Sequence, residues 1–592
     1  MHFKKRTHTC GELRAEQAER TVTLNGWVAT RRDLGPLIFI DVRDRYGVTQ
    51  LVCEQTSGTP QAAFDTAKTL RGEYVVAATG NVRLRSNPNA NMPTGGVEVV
   101  VHDLQIINTA ETSPFEIVDD TTAGEELRLT YRYLDLRRAA LQKNFSVRNE
   151  LYQTTHRYFH EHDFLEIETP VLMKSTPEGA RDFLVPSRLH AGKFYALPQS
   201  PQIYKQLLMV SGFDRYMQIV KCFRDEDLRA DRQPELSQID VEMSFIEQED
   251  ILQLAEGFVA RIWRDVLGKS VPTPFPRMTW HEAMRRYGSD KPDTRFGMEL
   301  CDLGAAVAGS AFKVFADALQ SKGHVGAVVA AGCGGYSRKE LDTLTDHAKR
   351  HGAKGLVWLR VSAGACDGPS AKFLTAEEQR SIIAAANGVD GDLLLIVADQ
   401  WERACTVLGQ LRLEVARRTG MLERAKGTDA FLFVVDFPLL EYSPDEGRYA
   451  ARHHPFTSPK EEDLPLFETD PAAMRANAYD LVINGVEIGG GFIRIHLREV
   501  QEKMFSALGF TREDYEHKFG FLLNAFRYGP PPHGGIAFGL DRLVMTLAGT
   551  ENIRDVIAFP KTTSMTSLMD DAPSAVSEAQ LQELRLKLEG EG

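Results

Sequence analysis

The 592-residue chain has no CxxC pair, and its seven cysteines (Cys10, Cys53, Cys222, Cys301, Cys333, Cys366 and Cys405) stand far apart and odd in number. That spacing excludes the usual zinc-ribbon and dithiol redox arrangements. No run of about 18 apolar residues occurs, and the opening MHFKKRTHTCGEL lacks an apolar stretch of signal-peptide kind. The expectation is a protein of a reducing cytoplasm with no membrane partner. Neither a Walker-type phosphate loop nor a dinucleotide glycine fingerprint is present. Any nucleotide must then be held by arginines, carboxylates and sheet geometry. Net positive charge is missing too: 69 Lys and Arg against 82 Asp and Glu give −13. Because nonspecific nucleic-acid affinity comes mostly from phosphate neutralisation, indiscriminate polyanion binding is excluded. Local basic patches remain at Lys4-Lys5-Arg6, at Arg31-Arg32 with Arg43 and Arg45, and at Arg83 with Arg85, each of which can equally be a solvated face.

A chain of this length implies three to five domains of ~100–200 residues. Residues 21 to 107 alternate apolar and polar residues in short runs (TVTLNGWVAT, LIFIDVRD, VTQLVCE, YVVAATGNVRLR, VEVVVHDLQII), which predicts a small β-barrel or sandwich. Five strands with arginines and Phe39 between them suit an OB-type barrel, a fold whose exposed face binds single-stranded nucleic acid. A polar stretch follows as a linker. From Asn144, the positions Val147, Leu151, Thr155 and Tyr158 recur at helical spacing, and FLEIETPVL reads as a strand ended by Pro170. Between about 290 and 420 the texture becomes an Ala- and Gly-rich αβ alternation, free of site motifs, as in a separately folded insertion. The expected organisation is multidomain α+β. Its parts are an OB-type barrel (1–110), a linker (111–135), a first catalytic part (136–288), an inserted α+β domain with α/β texture (289–422), a second catalytic part (423–562) and a C-terminal extension (563–592).

Three stretches carry the chemistry: CFRDED at 222–227, DLVINGVEIGGGFIR at 480–494 and GIAFGLDR at 535–542. In the strand after the first, Gln238, Asp240, Glu242 and Ser244 alternate with Ile239, Val241, Met243 and Phe245, giving one polar and one apolar face. Asn484-Gly485 is a strong two-residue hairpin signal. It sets Ile483 opposite Val486 and Val482 opposite Glu487, leaving Asp480 and Glu487 as diagonal neighbours on one face. Two such carboxylates repel, and a hard cation such as Mg²⁺, shared with substrate phosphates, relieves that cost. A solvated carboxylate pair near the turn is the plainer alternative. Plain alternation would put Arg494 on the other face; the glycines at 489–491 are expected to reset the register. Arg542 falls in the first turns of a helix, where an N-terminus favours anions and a guanidinium matches phosphate oxygens.

Together these segments resemble the three signature motifs of the class II aminoacyl-tRNA synthetases. The run QSPQIYKQLLMVSGFDRYMQIVKCFRDEDLRADRQPE is similar to the aspartyl branch of that family in its bacterial form. The resemblance implies an antiparallel catalytic sheet flanked by helices, an anticodon-binding barrel, a bacterial insertion and a homodimer. It also implies ATP and L-aspartate as substrates, Mg²⁺ as metal and tRNA-Asp as partner. By resemblance, Glu178 and Gln202 line the amino-acid site, Ser200 and Asp240 lie near the ammonium, and Lys205 and Arg494 clasp the side-chain carboxylate. His453 sits on a closing loop. Arg224, Asp225, Glu226, Gln233, Glu487, Gly539, Leu540, Asp541 and Arg542 hold ATP, with Arg224 (which also faces the aspartate) and Arg542 as the catalytic arginines. Asp480 and Glu487 bind metal. Where the family usually has an aromatic residue after RQPE, this chain has Leu236, which removes a stacking face for adenine.

On the barrel, Phe39 is expected to stack on an anticodon base while Arg32 and Gln50 contact bases or phosphates, although Phe39 can also serve the barrel core. Leu34, in RRDLGP, resembles the form found in members that charge only tRNA-Asp, whereas relaxed members often carry His there. The alternatives are a relaxed enzyme charging both tRNA-Asp and tRNA-Asn, an asparaginyl- or lysyl-type relative, and a noncatalytic RNA-binding paralogue.

Overall fold

In the computed structural model, residues 3–56, 58–176, 180–226, 228, 232–444 and 446–589 are described. The chain divides into two compact units, one of residues 1–152, 227–234 and 544–592, the other of residues 153–226 and 235–543.

In the first unit, β1 (Thr21–Asp33), β2 (Leu37–Asp44), β3 (Gly47–Glu54), β4 (Val75–Leu84) and β5 (Val97–Asn108) close a barrel in the order β1-β2-β3-β5-β4. Alternation does the sorting: β2 buries Ile38, Ile40 and Val42 against Val22, Leu24 and Val99 and turns Phe39, Asp41 and Arg43 outward. A helix, Gln61–Thr69, intervenes between β3 and β4 and sends Phe64 into the barrel core, an element the strand pattern did not announce. The expected linker 111–135 has structure of its own. It contains the helices Glu125–Thr130 and Arg132–Asp135, with Arg132 and Asp135 both buried. Arg132 donates to Asp135 at 2.6 Å and to the carbonyls of Arg554, Ile557 and Ala558, so polar sequence here means an internal hydrogen-bond hub. In the C-terminal stretch the helix Glu578–Leu584 buries no residue.

The second unit supplies β6 (Leu165–Glu166), a small ribbon of β7 (Leu184–Pro186) and β8 (Phe194–Ala196), β9 (Arg215–Phe223), β10 (Glu235–Ser244) and β11 (Arg277–Thr279). The insertion adds β12 (Cys301–Asp302), β13 (His324–Ala330), β14 (Val357–Ser362), β15 (Ala365–Asp367) and β16 (Leu393–Asp399). After it come β17 (Phe431–Val435), a ribbon of β18 (Leu440–Ser443) and β19 (Arg448–Ala451), β20 (Ala478–Ile483), β21 (Val486–Ile493) and β22 (His533–Gly539). The main sheet runs β11-β17-β20-β21-β22-β10-β9-β6, antiparallel except for the β11/β17 and β6/β9 pairs. FLEIETPVL is not one long strand: only Leu165–Glu166 pairs, and Val171 and Leu172 are exposed. The insertion's sheet, β12-β13-β16-β14-β15, is antiparallel at every pairing, so its αβ alternation is layered α+β.

The two faces of the main sheet differ as β10 alternates. Ile239 and Val241 stand level with Phe538 and Ile536, and the helix Gln248–Leu267 covers that face by packing Phe258 against Phe538. Asp240 and Glu242 occupy the other face, which receives the helix Gln202–Val210 through Lys205.

Candidate functional site

The helix Gln202–Val210 buries Lys205, whose Nζ donates to Asp240 Oδ1 at 2.6 Å and lies 3.4 Å from Glu242 Oε2. From β21's continuation, Arg494 Nε and Nη2 donate to the two oxygens of Glu242 at 2.8 and 2.9 Å, with the guanidinium 3.7 Å over the Phe492 ring. Two cations and two anions are thus sealed from water as a neutral cluster. Burial would raise the Glu242 carboxyl, but Arg494 and then Lys205 overcome it and bring it down to about 2. At Asp240 burial prevails over Lys205 and the carboxyl is raised. Glu242, which the alternation placed on this face without a task, is the hinge of the cluster.

Several buried polar atoms around this cluster have no partner: Arg494 Nη1, Gln202 Nε2, Asp240 Oδ2, His453 Nδ1 and His454 Nε2. Buried polar groups are almost always hydrogen-bonded, so this concentration fits a ligand rich in carboxylate and ammonium groups. His454 accepts the Phe456 N–H at its Nδ1, which leaves the proton on Nε2. Both histidines are neutral at pH 7. Burial, then Arg452, pushes His453 down to about 4, and burial, then Arg494 and Lys205, pushes His454 to about 3. His454 was not singled out in the sequence, although it adjoins His453. Ser200 precedes the helix and its Oγ accepts the Gln202 N–H. Glu178 lies outside the described residues.

The register carries this face across the sheet. Asp240 pairs with Ala537, Ala537 with Gly490, and Gly490 with Asp480, so the four residues form one row. Three strand spacings of ~4.8 Å put Asp480 about 14 Å from Asp240. Ile483 faces Val486 and Val482 faces Glu487 as the turn required, but Leu481 faces Gly489, leaving Ile488 as the extra residue. That bulge, one residue before the glycines, brings Glu487 and Arg494 onto one face. Asp480 and Glu487 do converge: a Cβ on Gly490 would stand 2.6 Å from Asp480 Oδ1 and 3.7 Å from Glu487 Oε1. Burial, Glu487 and Asp290 together raise the Asp480 carboxyl well above its ordinary value. A partly buried, mutually repelling carboxylate pair over a glycine floor fits a hard divalent cation. Among the described residues no group of three His, Cys, Asp or Glu side chains could hold a metal ion, so phosphates or water would complete the shell. Asp290, at the root of the insertion, is a further acid that the motifs did not indicate.

The remaining nucleotide residues separate. Arg224 follows β9 directly, on the face of Gln218 and Cys222, and its side chain makes no hydrogen bond or ion pair among the described residues. Asp225 lies 4.0 Å from the Arg181 guanidinium and joins it in an isolated bridge, and Glu226 is partly buried beside it. Gly539 ends β22 opposite Gln238 and opens the helix Leu540–Ala548, and Arg542 Nη1 reaches the Glu487 carbonyl at 3.4 Å. Three of the residues expected at the nucleotide are engaged within the fold. Leu540 is fully buried, so its side chain is core. Asp541 accepts the Ser237 N–H at 2.9 Å, which ties the helix to β10. Gln233 donates to the Lys561 carbonyl at 3.0 Å and accepts the Lys561 N–H at 2.8 Å, so its carboxamide is a backbone clamp.

On the barrel, Phe39 is on the outer face, paired with Arg32, whose guanidinium lies 5.7 Å from its ring. A core role for Phe39 is set aside. Gln50 is a correction: only 4% exposed, it donates to Glu98 at 2.8 Å and accepts from Arg32 at 3.0 Å, so it positions Arg32 rather than standing free. Leu34 is 65% exposed in the β1–β2 turn, next to Gly35 at φ +81°.

With this geometry in place, the family described as tRNA synthetases class II (D, K and N) matches residues 124–563. The chain belongs to the class II tRNA synthetases. An OB-fold nucleic acid binding domain matches residues 22–107 of this synthetase. It is 56% identical over 584 residues to the Aspartate--tRNA(Asp/Asn) ligase of Moorella thermoacetica, covering 98% of this chain and 96% of that protein. It is 54% identical over 585 residues to the Aspartate--tRNA ligase of Geobacillus kaustophilus, covering 98% of each. Among solved structures, the synthetase resembles asparaginyl-tRNA synthetase from Pyrococcus horikoshii complexed with asparaginyl-adenylate (TM-score 0.59, 21% identity, 94% and 98% of the two chains). It also resembles a putative aspartyl-tRNA synthetase from Leishmania major (TM-score 0.61, 19% identity, 96% and 95%). At such identities these likenesses concern the fold alone.

Proposed function

We propose that this class II synthetase activates L-aspartate with ATP and transfers it to the 3′ end of tRNA-Asp. The observation that carries the reading is the buried Lys205 and Arg494 pair, with Arg494 Nη1 unpartnered, on the same sheet face as Asp480 and Glu487. A side-chain carboxylate supplies the charged acceptor that Nη1 lacks, where an asparagine amide would offer only a neutral oxygen or a competing donor. An ammonium answers the free Asp240 Oδ2.

The aspartate α-carboxylate is ionised at neutral pH and needs no general base. It attacks the α-phosphorus, the bond to the bridging oxygen breaks, and pyrophosphate departs from the aspartyl-adenylate. The terminal ribose hydroxyl of the tRNA then takes the aspartyl group and AMP leaves. Arg224 and Arg542 hold the phosphoryl oxygens, and alignment with fixed positive charge is the main rate effect. Asp480 and Glu487 would hold Mg²⁺, which when bound neutralises phosphate charge. Arg32 and Phe39 take the anticodon. Exposed Leu165, Val171 and Leu172 support a homodimer, which sedimentation checks. No helix among the described residues is long and apolar enough to cross a membrane, consistent with the proposed cytoplasmic setting. Residues 289–422 are read as an accessory insertion.

Pyrophosphate exchange with aspartate, asparagine and lysine in turn tests the reading: aspartate alone should support it, and exchange driven better by asparagine or lysine would refute it. Leu34 supports strict tRNA-Asp charging, and the tRNA(Asp/Asn) names among relatives are compatible with the relaxed alternative. Aspartylation of a tRNA-Asn transcript decides, with comparable efficiency on both tRNAs overturning strictness.

A further inference from the structure

The basic runs at Lys4-Lys5-Arg6 and Arg45 have no place in the activities above, yet the fold brings them to one built feature. Asp44, buried at the end of β2, accepts N–H bonds from Cys10 at 2.9 Å, Tyr46 at 2.8 Å and Gly47 at 3.2 Å. Thr49 Oγ1 ties the same N-terminal segment down through the Cys10 carbonyl at 2.7 Å. A side chain on Gly11 would collide with the Tyr46 carbonyl, so the segment lies flush on the β2–β3 turn. This rigid base holds Tyr46 out in solvent at 53% exposure. Its ring is flanked by two guanidiniums, Arg45 at 4.8 Å and Arg6 at 5.7 Å. Lys5 is exposed beside Arg6, while Lys4 is paired with Asp103 at 2.8 Å. Arg6 Nη1 also reaches the buried Asp44 Oδ2 at 3.4 Å, but that carboxylate is shared with three backbone donors and the Arg6 side chain stays 46% exposed. β2 ends at Asp44, five residues beyond Phe39 or about 17 Å at ~3.3 Å per residue, and Tyr46 lies in the turn past that end.

We propose that the β2–β3 turn is a second RNA contact, in which Tyr46 offers a stacking face to an unpaired base and Lys5, Arg6 and Arg45 hold the adjoining phosphates. An exposed aromatic ring rimmed by cations is the chemistry that binds nucleic acid without reading its sequence. In a chain of net charge −13, such a patch is a local positive field where the overall charge repels RNA. The inference rests on the reading that the barrel takes tRNA.

The test is fluorescence anisotropy of the full chain with a tRNA-Asp transcript over a range of KCl. Tyr46→Ala should weaken binding about 5–50-fold and Tyr46→Phe should restore it to within about twofold. Arg6→Ala with Arg45→Ala should lower the slope of log K on log salt by ~1.4, about 0.7 for each lost phosphate contact. Unchanged affinity for Tyr46→Ala, or an unchanged salt slope, overturns the second contact. Phe39→Ala separates the two readings. If it weakens binding and the turn variants do not, the barrel reading stands and this inference falls; if the parent chain does not bind the transcript, both fall.

Discussion

Replacing Glu242 with Gln removes the negative charge at the centre of the buried cluster while keeping its volume. The Glu242 carboxyl lies at about 2 in the folded protein against an ordinary 4.5. At ~1.4 kcal/mol per pH unit, the charged form contributes about 3 kcal/mol to folding. Removing one partner of a buried ion pair costs a similar ~3–5 kcal/mol, because Arg494 would keep its charge without its bidentate acceptor. Loss of about 3–4 kcal/mol at pH 7 is therefore expected, read as a lower urea midpoint at unchanged slope for the unit that carries β10 and β21. The folded pKa is depressed, so the contribution is fully present above about pH 4.5 and lost as pH falls through about 2. The gap between parent and variant should narrow along that path. Aspartate KM should rise as well, since Arg494 is no longer aimed. A stability difference below ~1 kcal/mol at pH 7 would show that Glu242 is not the counter-charge that organises the cluster.

Arg224→Ala should slow aspartate-dependent pyrophosphate exchange by about 10²–10³, the usual effect of losing one charge-stabilising donor, and an unchanged rate would remove Arg224 from the phosphoryl step. Asp480→Asn should stabilise the Mg²⁺-free protein, because the Asp480 carboxyl is raised by burial, Glu487 and Asp290. In the parent, stability from this group is present at low pH and lost as pH rises through its elevated pKa. Thermal melts with EDTA at pH 8 check the sign, and the same variant should lose the upward Tm shift on adding Mg²⁺. His453 and His454 titrate at about 4 and 3, below the ordinary 6.5, so their contribution is intact above pH 6.5 and lost as pH falls through those values. Histidine Cδ2–H NMR should find both neutral at pH 6, and protonation of either above that pH would contradict their burial.

Local chemistry was legible and distant pairing was not. The Asn484-Gly485 turn, with both residues at positive φ, determines its own register, so the Val482–Glu487 and Ile483–Val486 pairs followed from counting. The extra residue at Ile488 did not follow, because VEIGGG has no mark that separates a bulge from a glycine run. Alternation in β10 assigned Asp240 and Glu242 to one face, yet a face does not name a partner, and Arg494 arrives from 252 residues away. The resemblance brings Asp541 and Gln233 to the nucleotide, but the hydrogen bonds they make to Ser237 and Lys561, some 300 residues off, are visible only in three dimensions. Gln50 looked surface-bound on an alternating strand, but Glu98 on β5 covers it. In FLEIETPVL the β-branched composition was real, but only two residues find a neighbouring strand.

The floor between the two ends of the site is laid with Ala537, Gly490 and Gly535. A methyl group on Gly535 would collide with the Val241 carbonyl and the Glu242 carboxylate, and one on Gly490 with Asp480. Attempts to retarget this catalyst toward an unnatural amino acid therefore have no freedom to build upward from the strands. New selectivity has to be written into the walls, on the helix that carries Gln202 and Lys205 and on the His453–His454 segment, while the strand positions stay as they are.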